Sequence, residues 1–209
     1  MNALVLLATI LFTGGQYSES TVHGWKVHLS TVLKADTKLS HETDSSLAYE
    51  LGKIEQALPA HALEKIKQVE IWVELKSKNN VPIQYHTSAD WLRESGDNPE
   101  KAKDIEFQAM DYATQDHDSL PLLWYFATAY EHRELGFNNP QVTAAFAHAE
   151  HIEDYSSSGT FPFNDANIYF VALSTAYFGA YSNEPYNRTR LKKIDPRGYE
   201  MVEKAWNVK

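Results

Sequence analysis

The stretch LLWYFATAYEHRELGF, residues 122–137, predicts a long helix in the middle of the chain. Pro121 precedes it, and proline is well tolerated in the first turn of a helix because its missing N–H is not needed there. Gly136 lies near its end, and glycine commonly terminates helices. These two residues bound a predicted helix over about 121–135.

Apolar periodicity on either side of this helix predicts the remaining elements. Alternating apolar residues or short β-branched runs predict strands at 24–30, 69–75, 83–86 and 104–109. Helical spacing predicts helices at 47–58, 60–67 and 88–95, and after the central helix at 140–152, 165–180 and 196–206. The strands concentrate in the N-terminal half, so we expect an α+β fold in which a small N-terminal mixed sheet precedes a mainly helical half.

The size of the chain favours one domain. Its 209 residues, 43% of them hydrophobic, are enough to bury a full core, and we expect a single domain over residues 16–209. The segment SSSGT at 156–160 is interpreted as a loop inside this domain, because too little chain follows it to build a second core.

Residues 1–15 have the pattern of a secretory signal peptide. An uninterrupted apolar run from Ala3 to Phe12 is followed by small residues and then by the polar segment QYSES. The run is too short to span a bilayer as a permanent helix. We therefore predict a secreted, extracellular protein that has no membrane contact once the signal is cleaved.

The negative net charge of the chain argues against polyanionic partners. With 28 acidic against 19 basic side chains, the formal net charge is −9, which argues against nucleic acid and anionic membranes. The chain has no cysteine, so it can form neither disulfides nor thiolate metal sites. Asn187 begins the sequon Asn-Arg-Thr and is a predicted glycosylation site in a eukaryotic secretory pathway.

Several segments resemble the secreted relatives of the catalytic domain of anthrax lethal factor, which are zinc metallopeptidases of the gluzincin type. The similar segments are GWKVHL at 24–29, YHTSADWLRESGDNPEKAKDIE at 85–106, ATAYEHRELGF at 127–137 and IYFVALSTAYFG at 168–179. The resemblance extends over nearly all of the mature chain and implies a zincin-like fold for residues 16–209.

Active members of this family hold Zn²⁺ with an HExxH motif, in which two His one helical turn apart bind the metal and the Glu activates a water. Aligned on the flanking residues, the motif positions fall on Trp124, Tyr125 and Thr128. The third ligand, a Glu on a later helix, aligns with Ala172, and a second acidic position aligns with Thr175. The resemblance therefore implies a degenerate member with no metal, no cofactor and no catalytic residue.

Large side chains stand at and beside these degenerate positions. Trp124, Tyr125 and Phe126 are bulky and apolar, and we expect at least two of them in the core. A pocket that once held a metal and polar ligands would be costly to leave unpaired, and filling it with aromatic side chains removes that cost.

Other polar clusters are weaker candidates for a metal or catalytic site. His148 and His151 lie three residues apart, near Glu150 and Glu153, and such a pair on a helix can chelate a metal weakly. A solvated polar face is the preferred interpretation. The loop cluster Asp116-His117-Asp118 is a second candidate, and a solvated turn is again the preferred interpretation.

Three functions remain open, since resemblance of fold does not by itself supply function. The first is a secreted, catalytically inactive pseudo-metallopeptidase that binds a peptide or protein in the former substrate groove. The second is a structural component of the extracellular matrix. The third is a hydrolase with a rebuilt site, for which the nearest polar candidates are Tyr130, Glu131, His132 and Asp165. We favour the first, because the sequence on both sides of each lost ligand is retained.

Overall fold

A computed structural model describes residues 16–153, 155, 165–179 and 187–208. The predicted signal peptide at 1–15 and the predicted loop at 156–160 lie outside these residues. In the described part, a five-stranded mixed sheet is followed by mostly helical segments, so the α+β prediction is confirmed.

The elements follow one another as β1 (Tyr17–Val22), β2 (Trp25–Ser30), α1 (Thr31–Ala35), α2 (Thr37–Ala57), α3 (Ala60–Ile66), β3 (Ile71–Glu74), β4 (Ile83–Tyr85), α4 (Ala89–Ser95), β5 (Ile105–Gln108), α5 (Ala109–Tyr112), α6 (Pro121–Tyr130), α7 (Pro140–Ala149), α8 (Ala166–Phe178), α9 (Arg188–Ile194) and α10 (Pro196–Ala205). A π-helical segment, Glu131–Leu135, continues α6. The predicted strands and helices are confirmed, with bounds that differ by a few residues except at α2, which begins ten residues earlier than expected. The sequence does not predict β1, α1, α5 or α9, because these segments are too short or too polar to show a period.

The strands lie in the order β1-β2-β3-β5-β4. The three central strands, β2, β3 and β5, are parallel to one another, whereas β1 and β4 are antiparallel strands at the two edges. A two-residue turn at His23 and Gly24 joins β1 to β2, and both residues have positive φ, 49° and 87°. This conformation suits a tight hairpin because its twist matches that of the strands.

Both faces of the sheet are covered. One face is apolar and joins the main core with residues of α2, α6 and α8; its members include Val27, Leu29, Ile71, Val73, Ile105 and Phe107. The other face carries a row in register across four strands, formed by His28, Trp72, Glu106 and Gln84. Residues 86–104 cover this second face, since His86 lies 2.7 Å from Glu106 and Trp72 donates to Asp104 at 3.2 Å.

Glu50 of α2 fixes the start of α6. The residue before α6, Leu120, has a φ of 54° and caps the helix with no side chain. The N–H of Leu122 instead donates to the buried Glu50 carboxylate at 2.5 Å. Tyr112 donates to the same carboxylate at 2.6 Å, and His117 Nδ1 lies 3.1 Å from it. The first N–H groups of a helix lack acceptors inside the helix. Glu50, from a distant helix, supplies the acceptor for the N–H of Leu122.

Candidate functional site

An open cavity of about 380 Å³ lies between the edge strand β4 and the start of α6. This volume is within the range of ligand pockets, roughly 300–1,000 Å³. The residues that line it are Val81, Pro82 and Ile83 on the strand side, Leu120, Pro121, Trp124 and Tyr125 on the helix side, and Gln115, Ser119 and Thr175 between them. Three of the sequence-aligned positions, at 124, 125 and 175, therefore share one cavity.

Helices α6 and α8 run antiparallel beside this cavity. Thr175, near the end of α8, lines it together with Tyr125, in the middle of α6. A Cβ added to Gly179 would lie 2.9 Å from Leu123, which again places the end of α8 beside the start of α6. Thr128 lies about one turn after Tyr125, and Ala172 about one turn before Thr175. Of the positions that the resemblance aligns with zinc ligands or acidic residues, the cavity is lined by Trp124, Tyr125 and Thr175.

The three large side chains of α6 have different surroundings. Phe126 is buried in the core and lies 5.5 Å from the ring of Trp25. Trp124 and Tyr125 are only half-buried: they pack against the core on one side and line the cavity on the other. The expectation that at least two of the three are core residues is therefore wrong, because the free edge of the sheet leaves space beside α6.

The residues at the aligned positions do not fit a zinc ion. Trp124 and Ala172 offer no side-chain donor suited to the metal, and Ala172 is 1% exposed. The Thr128 hydroxyl donates to the carbonyl of Trp124 at 3.0 Å. In the described ranges, no three His, Asp or Glu side chains group closely enough to hold a metal ion.

The cavity is electrically neutral. Among its described lining residues, the only titratable side chain is Tyr125, and burial raises the pKa of its phenol. A phenol with a raised pKa stays protonated at neutral pH, so it can donate a hydrogen bond and carries no charge. The walls therefore offer apolar contact together with a few neutral hydrogen-bonding groups.

The free edge of β4 borders the cavity. The N–H of Gln108 donates to the carbonyl of Pro82 at 2.9 Å, and the N–H of His86 donates to the carbonyl of Asp104 at 3.0 Å, so alternate residues of the strand face β5. The peptide groups of Ile83 and Tyr85 must then point outward, away from β5. No described strand pairs with this side of β4.

Two of the four candidates for a rebuilt catalytic site have other partners. Tyr130 donates to the carbonyl of Ala205 at 3.1 Å and stacks on Trp206 at 3.9 Å between ring centroids. His132 Nδ1 lies 2.9 Å from the Tyr85 hydroxyl, and burial lowers the pKa of this histidine. Tyr130 contacts the end of α10, whereas His132 contacts β4, so the two side chains do not form one site.

The other two candidates influence each other. Glu131 is fully buried, and neither of its carboxylate oxygens has a hydrogen-bond partner in the described structure. Burial, and then the charge of Asp165, raises its pKa to about 8. Asp165 also caps α8 by accepting from the N–H of Ile168 at 2.9 Å. The sequence places the two acids far apart, and the antiparallel packing of α6 and α8 brings them close.

The weaker metal candidates do not converge. α7 ends at Ala149, so His151 lies in the following turn and not on one helix with His148. In the 116–118 cluster, His117 turns inward to Glu50, whereas Asp118 accepts from Tyr49 and Lys53 at 2.5 Å. Asp116 accepts from the N–H of Asp118 and stabilises its own turn.

Asn187, the predicted glycosylation site, is exposed and caps α9. Its side-chain oxygen accepts from the N–H of Arg190 at 3.0 Å. A glycan is attached through the amide nitrogen, so this cap would remain after modification.

No protein-family model, curated protein or solved structure matches the chain. Within the residues that the structure describes, no helix combines the length and the apolar character needed to cross a membrane.

Proposed function

We propose that the protein is a secreted, non-catalytic relative of the lethal-factor-like peptidases that binds an extended peptide between β4 and α6. The observation that carries this proposal is the neutral cavity beside the free edge of β4. An extended peptide can add to such an edge, with main-chain hydrogen bonds supplying affinity and side-chain pockets supplying specificity.

The chemistry of the walls indicates the kind of peptide. Trp124 and Tyr125 present aromatic surface, and Val81 is partly exposed on the strand side. Aromatic side chains commonly contribute most of the binding energy at such interfaces. We therefore expect a peptide with an uncharged, apolar or aromatic side chain at the position that enters the cavity.

Random linear peptides displayed on phage provide the first test. We expect panning on the mature protein to enrich a motif with an apolar centre. The Trp124→Ala variant is expected to bind the synthetic peptide about tenfold or more weakly, because removal of an aromatic anchor commonly costs about 2 kcal/mol. Isothermal titration calorimetry measures the difference.

Trp91→Ala is the matched control, because Trp91 is 49% exposed on α4 and does not line the cavity. N-methylation of the peptide tests whether its main chain pairs with β4. In an added strand, only every second residue directs its N–H toward β4. Methylation of those N–H groups should weaken binding, whereas methylation of the N–H groups between them should not.

Equal loss of peptide binding in the two tryptophan variants, or chelator-sensitive cleavage of the peptide, would contradict the proposal. Recovery of the protein only from insoluble extracellular material would favour a structural role.

The proposed ancestry has a separate test. The combined substitution Trp124→His, Tyr125→Glu, Thr128→His and Ala172→Glu is expected to bind one equivalent of zinc, because it would restore the ligand types that the resemblance implies on two helices that pack against each other. Metal content after dialysis measures it, with the same protein lacking Ala172→Glu as the control. A folded variant that retains no zinc would contradict the alignment.

A further inference from the structure

A cationic surface stands out on this acidic protein. The segment NRTRLKKIDPR, residues 187–197, contains five basic side chains and one acidic side chain, although the chain as a whole has a net charge of −9. The single acid, Asp195, is buried and turned inward, where it accepts from Tyr169 at 2.6 Å and from the N–H of Gly198 at 2.8 Å. The outer surface of α9 therefore carries almost only positive charge.

Basic side chains of this segment line a depression of about 380 Å³, which we call the cationic depression. The described residues around it are Arg188, Thr189, Lys192, Lys193 and Tyr199. None is acidic. Within the described residues, neither Lys192 nor Lys193 forms an ion pair, and the Lys192 ammonium lies 5.2 Å from the centre of the Tyr199 ring. Both lysines are exposed.

Arg188 is held in place at one side of the cationic depression. Its guanidinium lies 4.0 Å above the ring of Tyr177 and donates to the hydroxyl groups of Tyr177 and Tyr199, the latter at 3.2 Å. Glu203 is 3.8 Å away and balances part of the charge. A guanidinium that is already oriented loses less side-chain entropy when it binds an oxyanion.

A second depression adjoins the first at Arg188. It has a volume of about 340 Å³, and its walls besides Arg188 include Leu58, Pro59, Tyr177, Phe178 and Val208. We call it the apolar depression. Because Arg188 lines both, one ligand in contact with this side chain can reach the cationic and the apolar depression.

We propose that this paired surface binds a small amphipathic anion, in which a phosphate or sulfate monoester is carried on an apolar group. Arg188, Lys192 and Lys193 match the charge of the ester, and Thr189 adds a hydroxyl donor. The apolar depression receives the carrier group. The site has no lining residue in common with the peptide cavity beside β4, so the two proposals stand independently.

Isothermal titration calorimetry of the mature protein with phenyl phosphate, inorganic phosphate and phenol tests both halves of the site. We expect phenyl phosphate to bind about tenfold or more tightly than either fragment, because it fills both depressions. Arg188→Gln is expected to weaken phenyl phosphate binding by about tenfold, the effect of one charged hydrogen-bonding partner. Phenyl sulfate in place of phenyl phosphate distinguishes the two esters.

Lys38→Gln is the matched control, since it removes one positive charge from an exposed position on α2 that lines neither depression. Circular dichroism establishes that each variant is folded, and Lys193→Gln provides a second variant at an exposed position. Equal affinity for phenyl phosphate and inorganic phosphate, or equal loss in the control, would overturn the proposal. Binding to vesicles containing phosphatidic acid without binding of phenyl phosphate would assign the surface to a membrane and would also overturn it.

Discussion

Replacing Glu131 with glutamine is expected to stabilise the protein at high pH and to remove most of a pH-dependent loss of stability. Glu131 has 0% exposure, and its two oxygens have no hydrogen-bond partner among the described residues. Its pKa is raised from 4.5 to about 8, so the folded protein holds a proton that the unfolded chain releases. The free energy of unfolding from this group is therefore highest below pH 4.5 and falls as pH rises through about 8.

The expected size follows from the shift. At about 1.4 kcal/mol per pH unit, the charged carboxylate costs about 3 to 5 kcal/mol above pH 8. Urea unfolding at pH 5, 7 and 9 measures it: wild type and Glu131→Gln should have similar stability at pH 5 and should diverge as pH rises. Glu134→Gln, at an exposed position in the same π-helical segment, is the control: its ion pair with Lys65 at 3.4 Å lies at the surface, where such pairs contribute at most about 1 kcal/mol, so its pH profile should follow the wild type. Parallel pH profiles of the wild type and Glu131→Gln would contradict the argument.

Replacing Lys101 with methionine is expected to destabilise the protein by about 3 to 5 kcal/mol, as removal of one partner from a buried ion pair commonly does. Lys101 is 2% exposed, and its ammonium lies 2.9 Å from Glu74, 3.3 Å from Asp97 and 3.3 Å from Glu106. Burial by itself would lower the pKa of Lys101, but the carboxylates of Glu106 and Glu74 outweigh it and the pKa lies above its usual value. Methionine keeps the length of the side chain and leaves the carboxylates without their cation.

Urea unfolding at pH 7 measures this effect, with Lys38→Met at an exposed position as the control. A second variant isolates the charge: adding Glu106→Gln to Lys101→Met should recover part of the lost stability, because one of the uncompensated carboxylates becomes neutral. Equal stability of Lys101→Met and Lys38→Met would show that the cluster is not stabilised by its cation.

Local signals predicted the elements that surround the candidate site. Pro121 and Gly136 bound the central helix because their effects depend only on neighbouring backbone atoms. The last turn is nevertheless π-helical and ends where the N–H of Gly136 donates to the main-chain carbonyl of Glu131 at 2.8 Å, a pattern that the periodicity of side chains does not contain. The basic run at 188–193 can be read from the sequence, but the depression that it lines also depends on Tyr199 of α10.

The cavity could be predicted only in part. The resemblance placed Trp124 and Tyr125 at the degenerate positions, and both line it. Its strand wall, Val81 to Ile83, is distant in sequence, and its position depends on β4 being the outer strand of the sheet. Edge position is a property of how strands pair, so no pattern within the strand itself reveals it.

The sequence by itself determined the α+β class and the bounds of the central helix, because these follow from local backbone preferences. Only the tertiary structure decided that Trp124 and Tyr125 face a cavity, that Glu131 is buried near Asp165, and that Arg188 lies between two depressions. Each of these depends on contacts between segments far apart in the chain. The physical reason is that burial and charge pairing are set by which elements pack together, and that packing is a property of the whole fold.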